Sequence, residues 1–375
     1  MKNLGFGLMR LPLRDADDVT SINLDEFKLM ADEFISRGFT YFDAAFPYHN
    51  EKCEDAFRQA VAERYPRSAY ILADKMPVWL VSEEKQLDEI FELQLKRCGV
   101  EYFDYYVEYF DYYLVHSLNK EYYENAQKFH AFEFVARKKA EGKIRHIGFS
   151  FHDDSSLLER IMQDHPESEF VQLQINYLDW NDTTIQARKC YNIATEHKKP
   201  IIVMEPVKGG MLANIPEEAK QILQKHSPGC SPASWAIRYA ASLPGVFMVL
   251  SGMSTIGQVQ DNIEYMSEFK PLSEEELSVV ASVRDIIHDS IAIPCTACHY
   301  CTDGCPMKIS IPEYFALYNT VFQFKDKHNS TWYYNVLKQT HGKASDCIEC
   351  GQCEEHCPQH IKIMENLKLV AKTFE

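Results

Sequence analysis

TYFDAAFPYHNEKCEDAFRQAVAERYPRSAYILADK, residues Thr40–Lys75, is the stretch that decides the fold. It reads as a strand (Thr40–Ala44), a helix (Glu51–Arg64) and a second strand (Tyr70–Lys75). Parallel neighbours need a crossover of this length, usually a helix, so the stretch is a strand–helix–strand unit. The same alternation runs outward over residues 1–265. Further strands are expected at Leu4–Met9, Tyr109–His116, Ile144–Ser150, Val171–Asn176, Pro200–Glu205 and Val246–Ser251. Helical patterns fall at Leu24–Arg37, Ser82–Cys98, Gln127–Glu141, Ser155–Asp164, Thr184–His197 and Pro232–Ser242, with another after Gly257. Strands alternating with helices give a parallel sheet with helical crossovers, and their number suits a closed (β/α)8 TIM barrel. An open, doubly wound sheet is the alternative.

Chemically active residues gather where these strands end: Asp43, Lys75, His116, Ser150, Glu205 and Ser251. The C-terminal strand ends of a barrel form its active face. A helical stretch, Ser273–Asp289, finishes this region. The expected division is a barrel over 1–288 and a small, mainly helical domain over 289–375.

The 375 residues carry a formal charge of −16 and are 46% hydrophobic. That balance excludes a nucleic-acid backbone as the main partner, because such affinity comes from Lys and Arg. The plain meaning of the charge is solubility. No apolar run approaches a membrane span or a secretory signal, so a cytoplasmic protein is expected. Eight of the twelve cysteines sit in two short motifs. In a reducing compartment this favours metal ligation over disulfides.

Those motifs are Cys295-Cys298-Cys301-Cys305-Pro306 and Cys347-Cys350-Cys353-Cys357-Pro358, each C-x2-C-x2-C-x3-C-P. The spacing is that of thiolate ligands to a 4Fe–4S cluster, and two copies imply two clusters. In two-cluster ferredoxins the fourth cysteine commonly ligates the other cluster. On that pattern Cys295, Cys298, Cys301 and Cys357 hold one, and Cys347, Cys350, Cys353 and Cys305 the second. Zinc also uses C-x2-C pairs and is the competing reading. The residues between the motifs, including Ile311–Lys325 and Thr331–Gln339, read as helices.

In the barrel, Asp43, Tyr48, Lys75 and His116 together make a proton-transfer site. A phenol near pKa 10 is a poor acid at neutral pH. An adjacent ammonium lowers that value, and a carboxylate keeps the ammonium charged. A histidine at the next strand end can donate to a carbonyl oxygen and orient it.

These four residues resemble the catalytic tetrad of the aldo-keto reductase family. LGFGLMRLP, GKIRHIGFS, FVQLQINY, MEPVKGG and LSGMSTIGQVQDN resemble other segments of that family. The C-terminal part is similar to the 4Fe–4S dicluster (ferredoxin-type) domain attached to a subgroup of it. The resemblance implies an oxidoreductase that uses NAD(H) or NADP(H) on a small carbonyl or alcohol. It places Ser150 and Gln172 at the carboxamide. Glu205, Pro206, Val207, Lys208, Gly209 and Gly210, with Gly252, Met253 and Ser254, fall at the pyrophosphate and ribose. Asp261 and Asn262 fall at the adenine. Where many relatives place Lys and Arg around the adenosine 2′-phosphate, this chain has Gly252 and Gln258, which gives NADH weight. Met204 replaces a frequent aromatic, and Phe151 a frequent Asn.

Two functional expectations stand. One is hydride transfer in the barrel, with the clusters passing electrons, onward to a redox protein partner, or holding structure. The other is an electron-transfer or redox-sensing protein whose barrel is a degenerate binding module. Val100–Tyr106 (VEYFDYY) is repeated letter for letter at Val107–Tyr113. The second copy is expected to form the strand, because its phase fixes the face that His116 occupies.

Overall fold

The computed structural model describes residues 2–16, 18–100, 110–182, 185–290, 292–293, 295, 301–302, 304–325, 327–355, 357 and 361–375. Eight strands close in sequence order into a parallel barrel. They are β1 (Leu4–Gly7), β2 (Tyr41–Asp43), β3 (Ile71–Met76), β4 (Phe110–Leu118), β5 (Ile144–Phe151), β6 (Phe170–Gln174), β7 (Ile201–Met204) and β8 (Val246–Gly252). The expected barrel is therefore the fold.

Strand periodicity separates two apolar layers. Phe6, Phe42, Leu72, Tyr113, Phe149, Val171, Val203 and Val249 join the large core shared with helix residues such as Phe27, Phe34 and Phe91. The alternate residues Tyr41, Ala73, Leu114, Phe170, Ile202, Met248 and Leu250 fill the barrel interior. Two positions further along the same face come Asp43, Lys75, His116 and Gln172. The period of two thus lifts the polar residues one layer above the apolar plug. The strands are staggered, as barrel closure requires: Asp43 pairs with Ala73 and Lys75 with Leu114, while Ser150 is level with Gln172.

Several elements differ from expectation. The helix expected at Gln127–Glu141 is two, Lys120–Lys128 and Ala131–Ala140, broken where His130 takes φ +58. Asn119 starts the first by accepting from Tyr122 N–H, a cap whose signal lay upstream of the expected start. Helix Glu217–His226 was not expected; Pro216 precedes it, and acidic and basic residues occupy its first and last turns. Glu51–Arg64 is a short α-helix, Cys53–Phe57, running into a wider π-helical turn, Arg58–Ala62. β1 stops at Gly7, giving way to a 3-10 turn at Leu8–Arg10. β4 continues past His116 to Leu118 and takes in Phe110–Tyr113 of the second VEYFDYY copy. Residues 101–109, with the rest of that repeat, lie outside the described residues.

The chain divides into two compact units. One is 1–181, 185–209 and 233–273; the other is 182–184, 210–232 and 274–375. In the second, Glu217–His226 packs on Glu274–Asp289, and Ile311–Phe324 packs on Lys327–Leu337 and Ile363–Phe374. Its core includes Tyr314, Phe315, Tyr334, Leu367 and Val370, together with Cys301, Cys353 and Cys357. Among the described residues, no helix is long and apolar enough to cross a membrane.

Candidate functional site

Lys75 lies at the centre of the barrel site. Its Nζ donates to Asp43 Oδ2 at 2.6 Å and to the Ala44 carbonyl at 2.6 Å, with both charged side chains essentially inaccessible. Burial disfavours the ammonium, but Asp43 and Tyr48 outweigh it, and the Lys75 pKa rises. Burial raises the Asp43 carboxyl, against the pull of Lys75. Asp43 Oδ1 has no partner among the described residues.

Tyr48 leans over this pair, its ring centroid 5.0 Å from Lys75 Nζ. Burial pushes its phenol up to about 12, with Lys75 pulling down and Asp43 pushing up. The expectation that the ammonium would bring the phenol below its ordinary value is therefore corrected: desolvation is the larger effect. The His116 ring stands edge-on to Tyr48, centroids 6.3 Å apart. Burial first, then the charge of Lys75, hold its pKa well below 6.5, so the imidazole is neutral. Its Nδ1 is buried without a partner among the described residues. Trp79 lies 5.1 Å from the His116 ring and stacks on Tyr122 at 5.3 Å. Sequence reasoning missed Trp79, although it follows Lys75 by four residues.

Beneath Lys75 lies a second buried network that sequence reasoning also missed. Lys75 N–H donates to Asp74 Oδ1, and its carbonyl accepts from Gln94 Nε2. Gln94 also donates to Glu54 and accepts from Tyr113. Arg97 pairs with Glu54 at 3.4 Å. Burial raises both the Asp74 and the Glu54 carboxyls. The signal was Glu54 and Gln94, polar residues on otherwise apolar helix faces.

The proposed cofactor residues divide by their partners. Ser150 Oγ accepts from Ser117 N–H at 2.7 Å. Gln172 Nε2 reaches Met204 Sδ at 3.5 Å, while its Oε1 is buried with no partner among the described residues. Lys208 is engaged by Asp179 at 2.6 Å. Asn262 bonds Ser251 and Tyr265. Gln258 Oε1 accepts from Ser254 N–H. Glu205, Lys208, Gly209 and Gly210 all have positive φ, so the backbone after β7 is sharply turned around Pro206 and Val207. Met253 is buried and Asp261 partly so.

In the second unit, Cys305, Cys347, Cys350 and Cys353 line one small pocket, partly open to solvent. Glu349 and Gly351, both left-handed, flank Cys350 and fold its loop back. Ile309, Ile311, Met364 and Leu367 supply apolar walls. Burial, with Cys347 and other nearby acidic groups, raises Cys353 to about 11. Clustered thiolates need a cationic group to neutralise them, so this donor set fits an iron–sulfur cluster. A single zinc ion draws its sulfurs to about 2.3 Å from one point. Among the described residues no three His, Cys, Asp or Glu side chains converge to hold a metal ion of either kind, so the choice of iron–sulfur rests on the motif spacing. Cys295 is partly buried, Cys301 and Cys357 are buried, and Cys298 lies outside the described residues.

Comparison with known proteins decides the family. The profile of the Aldo/keto reductase family matches residues 3–285, three quarters of the chain. The chain belongs to the aldo/keto reductase family. It is an oxidoreductase of that type. A 4Fe–4S dicluster domain matches residues 294–361. The chain is 24% identical over 282 residues to the uncharacterized oxidoreductase YqkF of Bacillus subtilis (strain 168), covering 67% of this chain and 85% of that protein. The fold is similar to that of aldo-keto reductase AKR11C1 from Bacillus halodurans in its holo form (TM-score 0.56, 23% identity, 75% of this chain and 91% of that one). It is also similar to an aldo-keto reductase from Klebsiella pneumoniae in complex with NADPH (TM-score 0.55, 20% identity, 75% and 90%).

Proposed function

We propose that the barrel catalyses reversible reduction of a small carbonyl compound by NADH or NADPH. The observation that carries this reading is the buried Lys75–Asp43 pair at 2.6 Å beneath Tyr48, one layer above the barrel plug. A bound nicotinamide supplies the hydride. Tyr48 holds its proton through the neutral range and delivers it to the oxygen as negative charge develops there. Lys75 stabilises the phenolate left behind, and Asp43 keeps Lys75 charged in a site that would otherwise neutralise it. Neutral His116 donates to the same oxygen and aligns it. Ser150 and Gln172, side by side on β5 and β6, face the carboxamide, and the unpartnered Gln172 Oε1 suits an amide donor.

The domain boundary in this reading falls at 288/289. The cavity lined by Cys305 together with Cys347, Cys350 and Cys353 supports the exchanged ligation and hence two clusters, the other held by Cys295, Cys298, Cys301 and Cys357. Iron–sulfur clusters supply one-electron transfer. The motif that carries the fourth ligand of each cluster also carries three ligands of the other, so the two sites form together.

Tyr48→Phe tests the barrel assignment. Positioned acid catalysis contributes about 10²–10⁴-fold, so carbonyl reduction should fall by that factor while nucleotide binding and iron content stay unchanged. Undiminished turnover removes Tyr48 from the mechanism. Anaerobic titration with NADH or NADPH, followed at the iron–sulfur absorption, tests whether electrons from the nicotinamide reach the clusters. Bleaching means that they do; full carbonyl turnover without bleaching assigns the clusters to structure.

A further inference from the structure

Arg10 takes no part in the chemistry above. It ends the 3-10 turn after β1, and its carbonyl accepts from Ser254 Oγ at 2.8 Å, which ties this turn to the segment following β8. Its side chain lies directly across Gly252. A Cβ there would stand 3.1 Å from Arg10 Cδ and 3.3 Å from its Cβ and Cγ. The Nη2 end reaches Gly209, 3.2 Å from where that residue's Cβ would be, and Gly209 has φ +65. Two bare backbones, one after β7 and one after β8, thus make the channel in which the arginine lies.

The Arg10 guanidinium forms no hydrogen bond or ion pair among the described residues. Glu205 Oε2 is the carboxylate that shares the Gly209 position, 3.5 Å from the same Cβ point, yet the two do not pair. The neighbouring cation, Lys208, is already engaged by Asp179. An exposed arginine whose stem is held between glycines presents a fixed fork of donors, the geometry that recognises phosphate oxygens. Glycine on both sides lets those oxygens approach the backbone.

We propose that Arg10 is a positioning residue that clamps the diphosphate of the dinucleotide between the segments following β7 and β8. It brings a positive charge to the diphosphate from the β1 turn. The assignment rests on the reading of this site as a dinucleotide site. The diphosphate is the target, rather than a 2′-phosphate, because the guanidinium end lies at Gly209. Gln258, by contrast, is turned to Ser254 N–H at 2.7 Å.

The test is fluorescence titration of the full, iron-loaded chain with NADH and with NADPH, for wild type, Arg10→Ala, Arg10→Lys and Gly252→Ala. Arg10→Ala should weaken both nucleotides by a similar factor of about 10–100, in keeping with loss of a charge-assisted contact. Arg10→Lys should retain part of the affinity. Wild-type affinity should fall with salt more steeply than that of Arg10→Ala. Gly252→Ala should weaken binding by displacing the stem, and should have a smaller effect in the Arg10→Ala background. Unchanged binding by Arg10→Ala overturns the role of Arg10 alone. A loss confined to NADPH moves the guanidinium to the 2′-phosphate and overturns the diphosphate assignment. A wild-type protein that binds neither nucleotide overturns the dinucleotide reading, and the Arg10 assignment with it.

Discussion

The barrel site and the cysteine cavity reach their geometry by opposite routes. In the barrel, protein groups alone complete the arrangement: Lys75 has a carboxylate and a carbonyl at 2.6 Å, and its own backbone is held from below by Asp74 and Gln94. In the second unit the proposed ligands are part of the core. Cys301, Cys353 and Cys357 pack among its apolar side chains, and four cysteines surround a cavity. The difference teaches that one site is preorganised by folding while the other organises the fold. On the proposed ligation, the unit places thiolates at its centre and needs the metal to neutralise them, so metal binding there would be folding free energy.

The largest effect should therefore come from removing a cluster ligand. Cys353→Ser should lower iron content from about eight atoms per chain, as expected for two 4Fe–4S clusters, to below about four, because the two sites form together. It should also open 301–375 to limited proteolysis while dinucleotide binding by the barrel persists. Full protease protection after iron loss would show that the second unit has a core of its own, and the contrast would fail.

Asp43→Asn makes the converse cut in the barrel. It leaves the Lys75 ammonium buried without its counter-charge, and breaking such a pair costs about 3–5 kcal/mol. Urea unfolding followed by tryptophan fluorescence should show that loss. Asp43→Asn combined with Lys75→Met should recover part of the stability and none of the carbonyl reduction. A single variant as stable as wild type would mean that the pair is solvated and the site less preorganised than its geometry implies.

His116 gives a smaller and pH-dependent effect. Its pKa in the folded protein lies well below 6.5, through burial and the charge of Lys75, with His152 adding a little. An unfolded histidine takes a proton near 6.5, so below that value the unfolded state binds more protons than the folded one. Stability then rises with pH up to about 6.5 and is lost as pH falls, with a limiting slope of about 1.4 kcal/mol per pH unit for one group. His116→Gln should flatten this dependence between pH 5 and 7. An unaltered slope would mean that His116 titrates normally.

The barrel was legible because parallel strands and helical crossovers leave a period that survives in one sequence. Asp43, Lys75 and His116 stood out because each is polar at the end of an apolar run. Arg10, Trp79 and Glu54 did not. Arg10 is brought to Gly209 and Gly252 only by closure of β1 against β8, a pairing between the two ends of the barrel sequence. The pKa of Tyr48 was misjudged for a related reason: a sequence gives the charges near a group but not the depth of its burial. The cysteine motifs carry the opposite lesson, since their spacing alone states the ligand chemistry.

The smallest effect belongs to the repeat, and there the expected result is no change. Gly99 caps helix Lys85–Cys98 with φ +65, and Val100 is buried directly after it. Deleting Val100–Tyr106 leaves Gly99 followed by Val107 and the same seven letters, so the cap and the residue after it keep their sequence. Leu114, Val115 and His116 also keep their distance from the retained Phe110–Tyr113, and the period of β4 is unaltered. Activity within about twofold of wild type is expected, because the second copy restores the residues after the cap and leaves β4 intact. Turnover, unfolding midpoint and iron content together check it. A well-folded deletion variant with lost carbonyl reduction would show that the first copy supports the barrel site, which would then not be complete in the residues that form its strands.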